Sequence, residues 1–247
     1  MFSSKRQNKK AEKEFFDHYS KQKRYEVLEE KGYQKLLSEF ENLVCPKKGE
    51  RVIDLGCGTG AFTQRLKKLD LAMMGMDIST ESIIKAKKNI LDVNFLVGDI
   101  EKTGLKDNSF DIIIYSGVLH HFPDFSEVLN EGFRILKSGG RMFSYDTNLD
   151  NPIMALYRHP KSPFYSRKGL TSNERLFTRR KIEIKVKKAG FEKIKVRAVS
   201  GIPYKSVELK AVNKFLFLYN LWETLFEHLS VSKKFGSFLL CCSEKAK

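Results

Sequence analysis

One nine-residue stretch constrains this chain more than any other: residues 52–60 read VIDLGCGTG, an apolar run that passes an acid and ends in three alternate glycines. Residues 51–55 have the pattern of a buried strand, and residues 60–69 have the pattern of a following helix. Glycines let the chain turn sharply there and keep side chains away from a ligand. Backbone N–H groups around such a turn face the space above the strand ends. The stretch therefore predicts a nucleotide-type site.

A dinucleotide is the first ligand that fits this loop. Gly56, Gly58 and Ala61 match the pattern G-x-G-x-x-A. Asp77 follows about 20 residues later, where an acid would accept from a ribose. NAD, and with it an NAD-dependent oxidoreductase, stays open on these residues alone.

Further features favour a different nucleotide. Gly60 makes the loop G-x-G-x-G, with Cys57 inside it, and Asp54 lies within the end of the strand itself. A third acid, Asp99, follows another strand-like run at 93–97. Acids therefore recur at the ends of successive strands, which the dinucleotide pattern does not require.

Strand and helix patterns alternate from residue 51 to 147, which predicts a parallel sheet with right-handed crossovers. Helices are predicted at 60–69, 79–91, 124–137 and 178–189, and residues 12–40 are expected to form two helical segments broken near Gly32. Strands are predicted at 51–55, 71–76, 93–97, 110–115, 140–146, 191–199 and 238–243.

Four motifs in order carry a family resemblance: VIDLGCGTG, MDIS, GDIEKTGLKDNSFDIIIYSGVLHHFPD and ILKSGGRMFSYD. With them the chain resembles the class I S-adenosylmethionine-dependent methyltransferases, and most closely the small-molecule enzymes of ubiquinone and menaquinone biosynthesis. The resemblance runs from about residue 15 to 190 and continues plausibly to the C-terminus. It implies an α/β, Rossmann-like sheet of seven mostly parallel strands with helices on both faces and an antiparallel C-terminal strand pair.

The resemblance also implies S-adenosyl-L-methionine as the cofactor and assigns its contacts. Asp54 would attract the cofactor's ammonium, directly or through water; Asp77 would accept from both ribose hydroxyls; and Asp99 would accept from the adenine amino group. The remaining cofactor contacts are expected at Gly56, Cys57, Gly58, Gly60, Ile78, Ile100, Ser116 and Gly117.

Three residues are candidates for catalysis. His120 and His121 follow the fourth predicted strand, and either imidazole could act as a general base. Tyr19 lies where the family's N-terminal helix closes over the cofactor. Ordinary packing is the alternative for all three, because positioning alone can supply much of a methyl transfer. No metal site is expected, on the reasoning that adjacent histidines cannot easily share one ion, so activity should survive a chelator.

The formal net charge is +15, from 45 Lys and Arg against 30 Asp and Glu. A solvated lysine-rich surface explains it most simply, and attraction to anionic lipid, nucleic acid or a phosphorylated substrate is the alternative. Residues 1–11 are expected to be a disordered basic tail, and residues 12–247 the methyltransferase domain. With no secretory signal and no run of transmembrane length, we expect a cytoplasmic monomer or homodimer with structural thiols.

Two segments bear on the acceptor, at 148–176 and 203–234, which we expect to be a lid and a substrate-covering insertion. The second is strongly apolar, with a predicted face of Leu209, Val212, Phe215, Leu218, Trp222, Leu225, Phe226 and Leu229 and with lysines at its edges. It predicts a small, apolar or lipid-like acceptor, or a peripheral membrane contact.

An RNA methyltransferase is the rival, although the Asn/Asp-Pro-Pro-aromatic motif of many base-methylating enzymes is missing after the fourth strand. A non-catalytic cofactor-binding protein is the other alternative, and the intact loop argues against it.

Overall fold

Seven strands form one sheet in the computed structural model, which describes residues 6–21, 26–163, 165, 170–205 and 216–247. The strands are β1 (Arg51–Leu55), β2 (Ala72–Asp77), β3 (Asn94–Val97), β4 (Phe110–Ser116), β5 (Leu136–Thr147), β6 (Glu192–Val199) and β7 (Phe238–Glu244). Their order is β3-β2-β1-β4-β5-β7-β6; β7 runs antiparallel to both neighbours, and the other pairings are parallel. The predicted fold class is confirmed.

Helices cover both faces of this sheet. They are α1 (Lys9–Ser20), α2 (Glu30–Val44), α3 (Ala61–Leu66), α4 (Thr80–Asn89), α5 (Ser126–Ile135), α6 (Pro152–Arg158), α7 (Arg179–Lys188), α8 (Leu216–Phe226) and α9 (Ser232–Phe235). One core cluster joins the sheet to α5 and α7, a second joins it to α2 and α3, and a third packs Ile83 and Ala86 of α4 against Phe95 of β3. Cys241 belongs to the first cluster and Cys242 to the second, as expected for neighbours on one strand, and both are free thiols.

The strand order reverses at β1, which places a crevice above its carboxyl end. From β1 the chain moves through β2 to β3 on one side and returns to β4 on the other. Loops that leave β1 and β4 therefore diverge, and open parallel sheets bind ligands at such a switch point. The glycine loop and the paired histidines occupy these two loops.

Several predicted boundaries are wrong for reasons of packing. Gly32 does not break the N-terminal helical region; it lies buried in the first turn of α2, where an added Cβ would come 3.1 Å from Ile202 Cγ2. The glycine is there for close approach of two segments, a reason that a local pattern cannot reveal. The helix predicted at 124–137 ends at Ile135, because the chain enters β5 at Leu136.

The boundary of the N-terminal tail also needs correction. Residues 1–5 lie outside the described residues, but α1 begins at Lys9 and Asn8 caps it. The Gln7 side chain donates to the His121 carbonyl over 3.1 Å. Described residues 6–11 are therefore part of the fold rather than a disordered tail.

Segment 148–176 contains more regular structure than its sequence suggests, whereas helix is expected from the sequence of segment 203–234. Segment 148–176 includes α6, with the Asn151 side chain as its N-cap and Pro152 in its first turn. In segment 203–234, residues 206–215 lie outside the described residues, so the predictions for Leu209, Val212 and Phe215 cannot be placed. Within the described part of the chain, no helix has the length and apolar character needed to cross a membrane.

Candidate active site

Two adjoining cavities lie at the carboxyl ends of β1, β2 and β4. The narrow cavity has a volume of about 110 Å³, and the wide cavity beside it has about 510 Å³. The wide cavity is mostly apolar and reaches to α6 and α8. Both cavities are lined by Phe16, Gly56, Gly58, Ser116, Gly117 and His121. A ligand in one would therefore touch a ligand in the other across this shared lining.

The glycine loop borders both cavities through Gly56 and Gly58, which have no side chains to fill them. Gly56 has a φ of 79°, and a Cβ at this position would lie 2.4 Å from Val118 Cγ2. Cys57 lines the wide cavity. Gly60 lines neither cavity and instead stands at the N-terminus of α3 with a φ of 79°. Its position supports the loop's turn rather than a direct ligand contact.

Asp77 lines the narrow cavity and also braces the loop. One oxygen accepts from the Gly58 N–H over 2.8 Å, and the other accepts from the Ser79 N–H over 2.9 Å. Burial raises the pKa of Asp77, against the effect of these donors. The carboxylate is thus held in one orientation at the beginning of α4.

Asp99 also lines the narrow cavity, between Ile78 and Ile100, which line it as well. Its Oδ1 accepts from the Glu101 N–H over 2.9 Å. Its Oδ2 forms an ion pair with Lys9 of α1. The N-terminal helix therefore covers this end of the cavity, and a ligand that bonds to Asp99 Oδ2 must share it with Lys9.

Asp54 is fully buried beneath the loop and lines neither cavity. Its Oδ2 accepts from the Thr63 hydroxyl over 2.6 Å, whereas Oδ1 has no hydrogen-bond partner in the described part of the chain. Burial raises the pKa of Asp54 to about 6, and the Thr63 bond only partly offsets that effect. Because Asp54 is buried and lines neither cavity, it can interact with a cation above the loop through water but not by direct contact.

His120 and His121 end the tight turn Leu119–His121, and their rings lie side by side with centroids 4.1 Å apart. Each imidazole has its Nδ1 beside a buried carboxylate. His120 Nδ1 lies 2.8 Å from Asp146 Oδ1, and His121 Nδ1 lies 2.8 Å from Glu12 Oε1. Both rings border the wide cavity, so two imidazoles of fixed orientation face its interior.

The two histidines differ in electrostatics. Burial lowers the pKa of His120 and raises the pKa of Asp146, so both shifts oppose the charged forms at this contact. Burial also opposes the charged form of His121, but the close contact and charge of Glu12 outweigh it and raise the His121 pKa. The pair thus holds one neutral imidazole and one that favours the proton.

Several residues at this site are not predicted from the sequence. Glu12, Asp146, Arg158 and Glu174 surround the histidines, and both Arg158 and Glu174 line the wide cavity. Asp146 carried a usable signal, because it lies near the end of an apolar strand, as Asp77 does. The other three come from distant segments, and no local pattern marks them.

The candidate catalytic Tyr19 lines the wide cavity and stacks on Phe15, with ring centroids 5.7 Å apart. The apolar face predicted on 203–234 is arranged differently from the expectation. Leu216 and Tyr219 of α8 line the wide cavity. Trp222 is 46% exposed and stacks on Phe226 away from the cavity, so it does not cover an acceptor there.

Comparisons with known proteins agree with this geometry. A family model described as a methyltransferase domain matches residues 46–178. Ubiquinone biosynthesis O-methyltransferase of Coxiella burnetii (strain Dugway 5J108-111) is 35% identical over 101 residues, which cover 39% of this chain and 43% of that protein. Demethylmenaquinone methyltransferase of Thermotoga maritima is 37% identical over 95 residues, covering 38% and 42%. The alignments thus span less than half the length of either relative.

Among solved structures, the fold resembles a phosphoethanolamine N-methyltransferase 2 from Haemonchus contortus, in complex with phosphomonomethylethanolamine and S-adenosylhomocysteine. The TM-score is 0.63 at 16% sequence identity, and the match covers 94% of this chain and 56% of that one. At this identity the likeness concerns the fold alone.

Proposed function

The chain belongs to the methyltransferase-domain family, and from that membership we propose that it transfers a methyl group from S-adenosyl-L-methionine to a small, largely apolar acceptor. One observation carries the proposal. A narrow cavity that is lined by the carboxylates of Asp77 and Asp99, at the switch point of the sheet, meets a wide and mostly apolar cavity across a shared lining. A methyl donor and its acceptor have to bind side by side, and two adjoining cavities allow them to do so.

The narrow cavity fits the donor in its chemistry. Asp77 offers a fixed carboxylate for two hydroxyl groups, and Ile78 and Ile100 offer apolar surfaces for a base. The unpartnered Oδ1 of Asp54 lies under the glycine loop, where the donor's ammonium would be balanced through water. We assign donor binding to these residues together with Asp99, Gly56, Cys57, Gly58, Ser116 and Gly117, and Gly60 supports the loop.

The reacting atom of the acceptor belongs near the shared lining, on the wide side. The sulfonium already carries an activated methyl group, so the protein has to position a nucleophile and exclude water. His120, His121 and Tyr19 border this space. They are the groups that can take the acceptor's proton or hold its reacting atom.

The acceptor class follows from the rest of the wide cavity. Met154, Leu176, Tyr204, Leu216 and Phe238 supply mainly apolar surface, and Arg158 supplies a cation. The similarity to ubiquinone and menaquinone biosynthesis enzymes supports a quinone precursor or a related phenolic or lipid-like molecule.

The exposed part of α8 supports a contact with a membrane surface. Phe217, Leu218, Leu221, Trp222 and Leu225 are each 46–65% exposed, and Lys233 and Lys234 follow on α9. Apolar side chains beside lysines suit the boundary of an anionic bilayer. We propose that this face rests on anionic lipid, which would bring an apolar acceptor to the neighbouring cavity.

Calorimetry with S-adenosylhomocysteine tests the donor site directly. We expect micromolar binding, about 8 kcal/mol. Asp77→Asn should weaken it by about 1.5–3 kcal/mol, because a charged acceptor is lost. Asp70→Asn is the matched control, because Asp70 is exposed and remote from both cavities.

Formation of S-adenosylhomocysteine in the presence of phenolic quinone precursors then tests the transfer. Tight binding of NAD in place of S-adenosylhomocysteine would contradict the proposal. So would methylation of RNA with no turnover of any phenolic or lipid extract.

A further inference from the structure

We propose that His120, His121 and Glu174 bind a divalent transition-metal ion whose open coordination positions face the wide cavity. One nitrogen of each imidazole and one carboxylate oxygen of Glu174 all lie within 4.8 Å of one another. Two histidines and one glutamate are a common zinc set in catalytic sites, where the remaining position takes water or substrate. The sequence-based expectation excluded a metal because adjacent histidines seemed unable to share an ion. In this turn the two rings lie side by side, so that reasoning does not apply.

The fold delivers Glu174 to the histidines by a specific contact. The Arg175 N–H donates to the His120 carbonyl over 2.7 Å, which ties segment 171–175 to the turn of the histidines. Asn173 is held in place as well, because its Oδ1 accepts from the Asn8 N–H over 2.8 Å. Glu174 is therefore held near the histidines by contacts of the residues on either side of it.

The surroundings of the histidines are those of metal ligands. In most protein sites, a ligating imidazole has its other ring nitrogen bonded to a carboxylate or carbonyl, which fixes its orientation and strengthens it as a ligand. His120 has this arrangement, because its Nδ1 is hydrogen-bonded to Asp146 Oδ1 over 2.8 Å. Nδ1 of His121 lies 2.8 Å from Glu12 Oε1, but the contact lacks the geometry of a hydrogen bond. Ion binding therefore falls to the two Nε2 atoms.

The charges nearby also suit a cation. Three acids surround the pair, namely Glu12, Asp146 and Glu174, and Arg158 is the cation that acts on Glu174 and His120. In a tetrahedral zinc site the ligand atoms would lie roughly 3.4 Å apart. The three candidate ligand atoms lie within 4.8 Å of one another, so small side-chain rotations would bring them to that spacing.

A metal ion at this position would favour one class of acceptor. This preference rests on the proposed methyl transfer. A bound metal lowers the pKa of a hydroxyl that binds to it. The acceptor hydroxyl loses its proton to solvent, its oxygen forms the new bond to the donor methyl, and the methyl–sulfur bond breaks with its electron pair remaining on sulfur. The products are a methyl ether and S-adenosylhomocysteine. The metal thus points to O-methylation of a phenol or enol.

The test uses the full chain, stripped with EDTA and dialysed. Titration with Zn²⁺ by calorimetry, and with Co²⁺ followed by visible absorption, should show one equivalent of tight binding. Glu174→Gln keeps the side-chain size and should weaken binding at least tenfold; His120→Ala and His121→Ala should do the same. His18→Ala and Cys45→Ser remove an exposed imidazole and an exposed thiol, and should leave binding unchanged.

Azide added to the Co²⁺ form probes the open position and should shift the visible bands. Failure to bind one equivalent, or equal binding by Glu174→Gln, would overturn the site. If azide leaves the visible absorption bands of the Co²⁺ form unchanged, the metal has no open coordination position, and the proposal that it binds the acceptor is overturned. Calorimetry with S-adenosylhomocysteine on the same samples separates this outcome from failure of the methyltransferase proposal, because donor binding does not depend on the metal.

Discussion

Nδ1 of His121 lies 2.8 Å from Oε1 of Glu12, and both side chains are largely withdrawn from solvent. This contact joins the first helix to the loop after β4 and so closes the N-terminal segment over both cavities. The second oxygen of Glu12 accepts from Asn173, so one carboxylate links three distant segments.

Removing this carboxylate should loosen the N-terminal helix. Glu12→Gln leaves His121 without its acid, and we expect a loss of about 1–3 kcal/mol in the free energy of unfolding. Urea unfolding measures the loss, and hydrogen exchange in α1 locates it. Glu14→Gln is the control on the same helix, since that side chain is 67% exposed. Equal effects of the two changes would contradict the linking role of Glu12.

Asp54 should give the protein an unusual dependence on pH. Burial raises the pKa of Asp54 in the folded state to about 6, above the ordinary aspartate value of 3.8, so the folded state takes up the proton first as pH falls. Its contribution therefore favours folding increasingly as pH drops from about 6 toward 4, by roughly 3 kcal/mol at most. Asp54→Asn should flatten this dependence without loss of stability at pH 7.

The same substitution should weaken donor binding, because the acid that balances the ammonium is gone. Urea unfolding at pH 5 and 7.5, with calorimetry of S-adenosylhomocysteine at pH 7.5, checks both effects. A mutant that unfolds more easily at pH 7 and binds normally would show that Asp54 is structural only.

Gly132 in α5 should tolerate a side chain only after a partner is trimmed. A Cβ there would lie 2.0 Å from the Tyr115 hydroxyl oxygen and 3.2 Å from Cζ. Alanine favours a helix by about 1 kcal/mol over glycine. We nevertheless expect Gly132→Ala to destabilise by about 1–3 kcal/mol through overpacking.

Tyr115→Phe removes the clashing oxygen together with its 2.9 Å bond to the Val128 carbonyl. The double variant should therefore be more stable than the sum of the single changes predicts, which a double-mutant cycle by urea unfolding measures. Strict additivity would contradict the clash.

Acceptor use should depend on the inner face of α6 and not on its outer face. Met154 lines the wide cavity, whereas Leu156 on the same helix is 49% exposed and does not. Met154→Ala should raise KM for a phenolic acceptor roughly tenfold, from about 1–1.5 kcal/mol of lost apolar contact, with donor affinity unchanged. Leu156→Ala is the control and should behave as the wild type. Equal kinetics of the two variants would place the acceptor elsewhere.

Trp222 reports on the proposed membrane contact, because it is the single tryptophan of the chain and is 46% exposed. Its fluorescence should shift to shorter wavelength with vesicles that contain anionic lipid, and much less with neutral vesicles. Leu221→Ser together with Leu225→Ser should reduce the shift and leave donor binding intact. An unchanged spectrum with anionic vesicles would contradict the contact.

The sequence alone determined the fold class and most of the proposed donor site. The glycine loop and the acids after β2 and β3 lie within short strand–turn–helix units, whose patterns are set by neighbouring residues. Once the alternation implied a parallel sheet, all these residues had to gather at one edge, because the carboxyl ends of parallel strands lie together. That is why Asp77, Asp99, Ile78 and Ile100 could be named as neighbours before their distances were known.

Only the tertiary structure decided what surrounds the histidines and how each acid behaves. Glu12, Asp146 and Glu174 come from three separate segments and meet at His120 and His121 by packing that no local pattern encodes. The glycine at position 32 is likewise explained by Ile202, which is distant in sequence but packs closely against it. Burial raises the pKa of Asp54 and removes it from direct contact with the cavities. Desolvation and approach of distant side chains exist only in the folded molecule, so chemistry that depends on them is decided there.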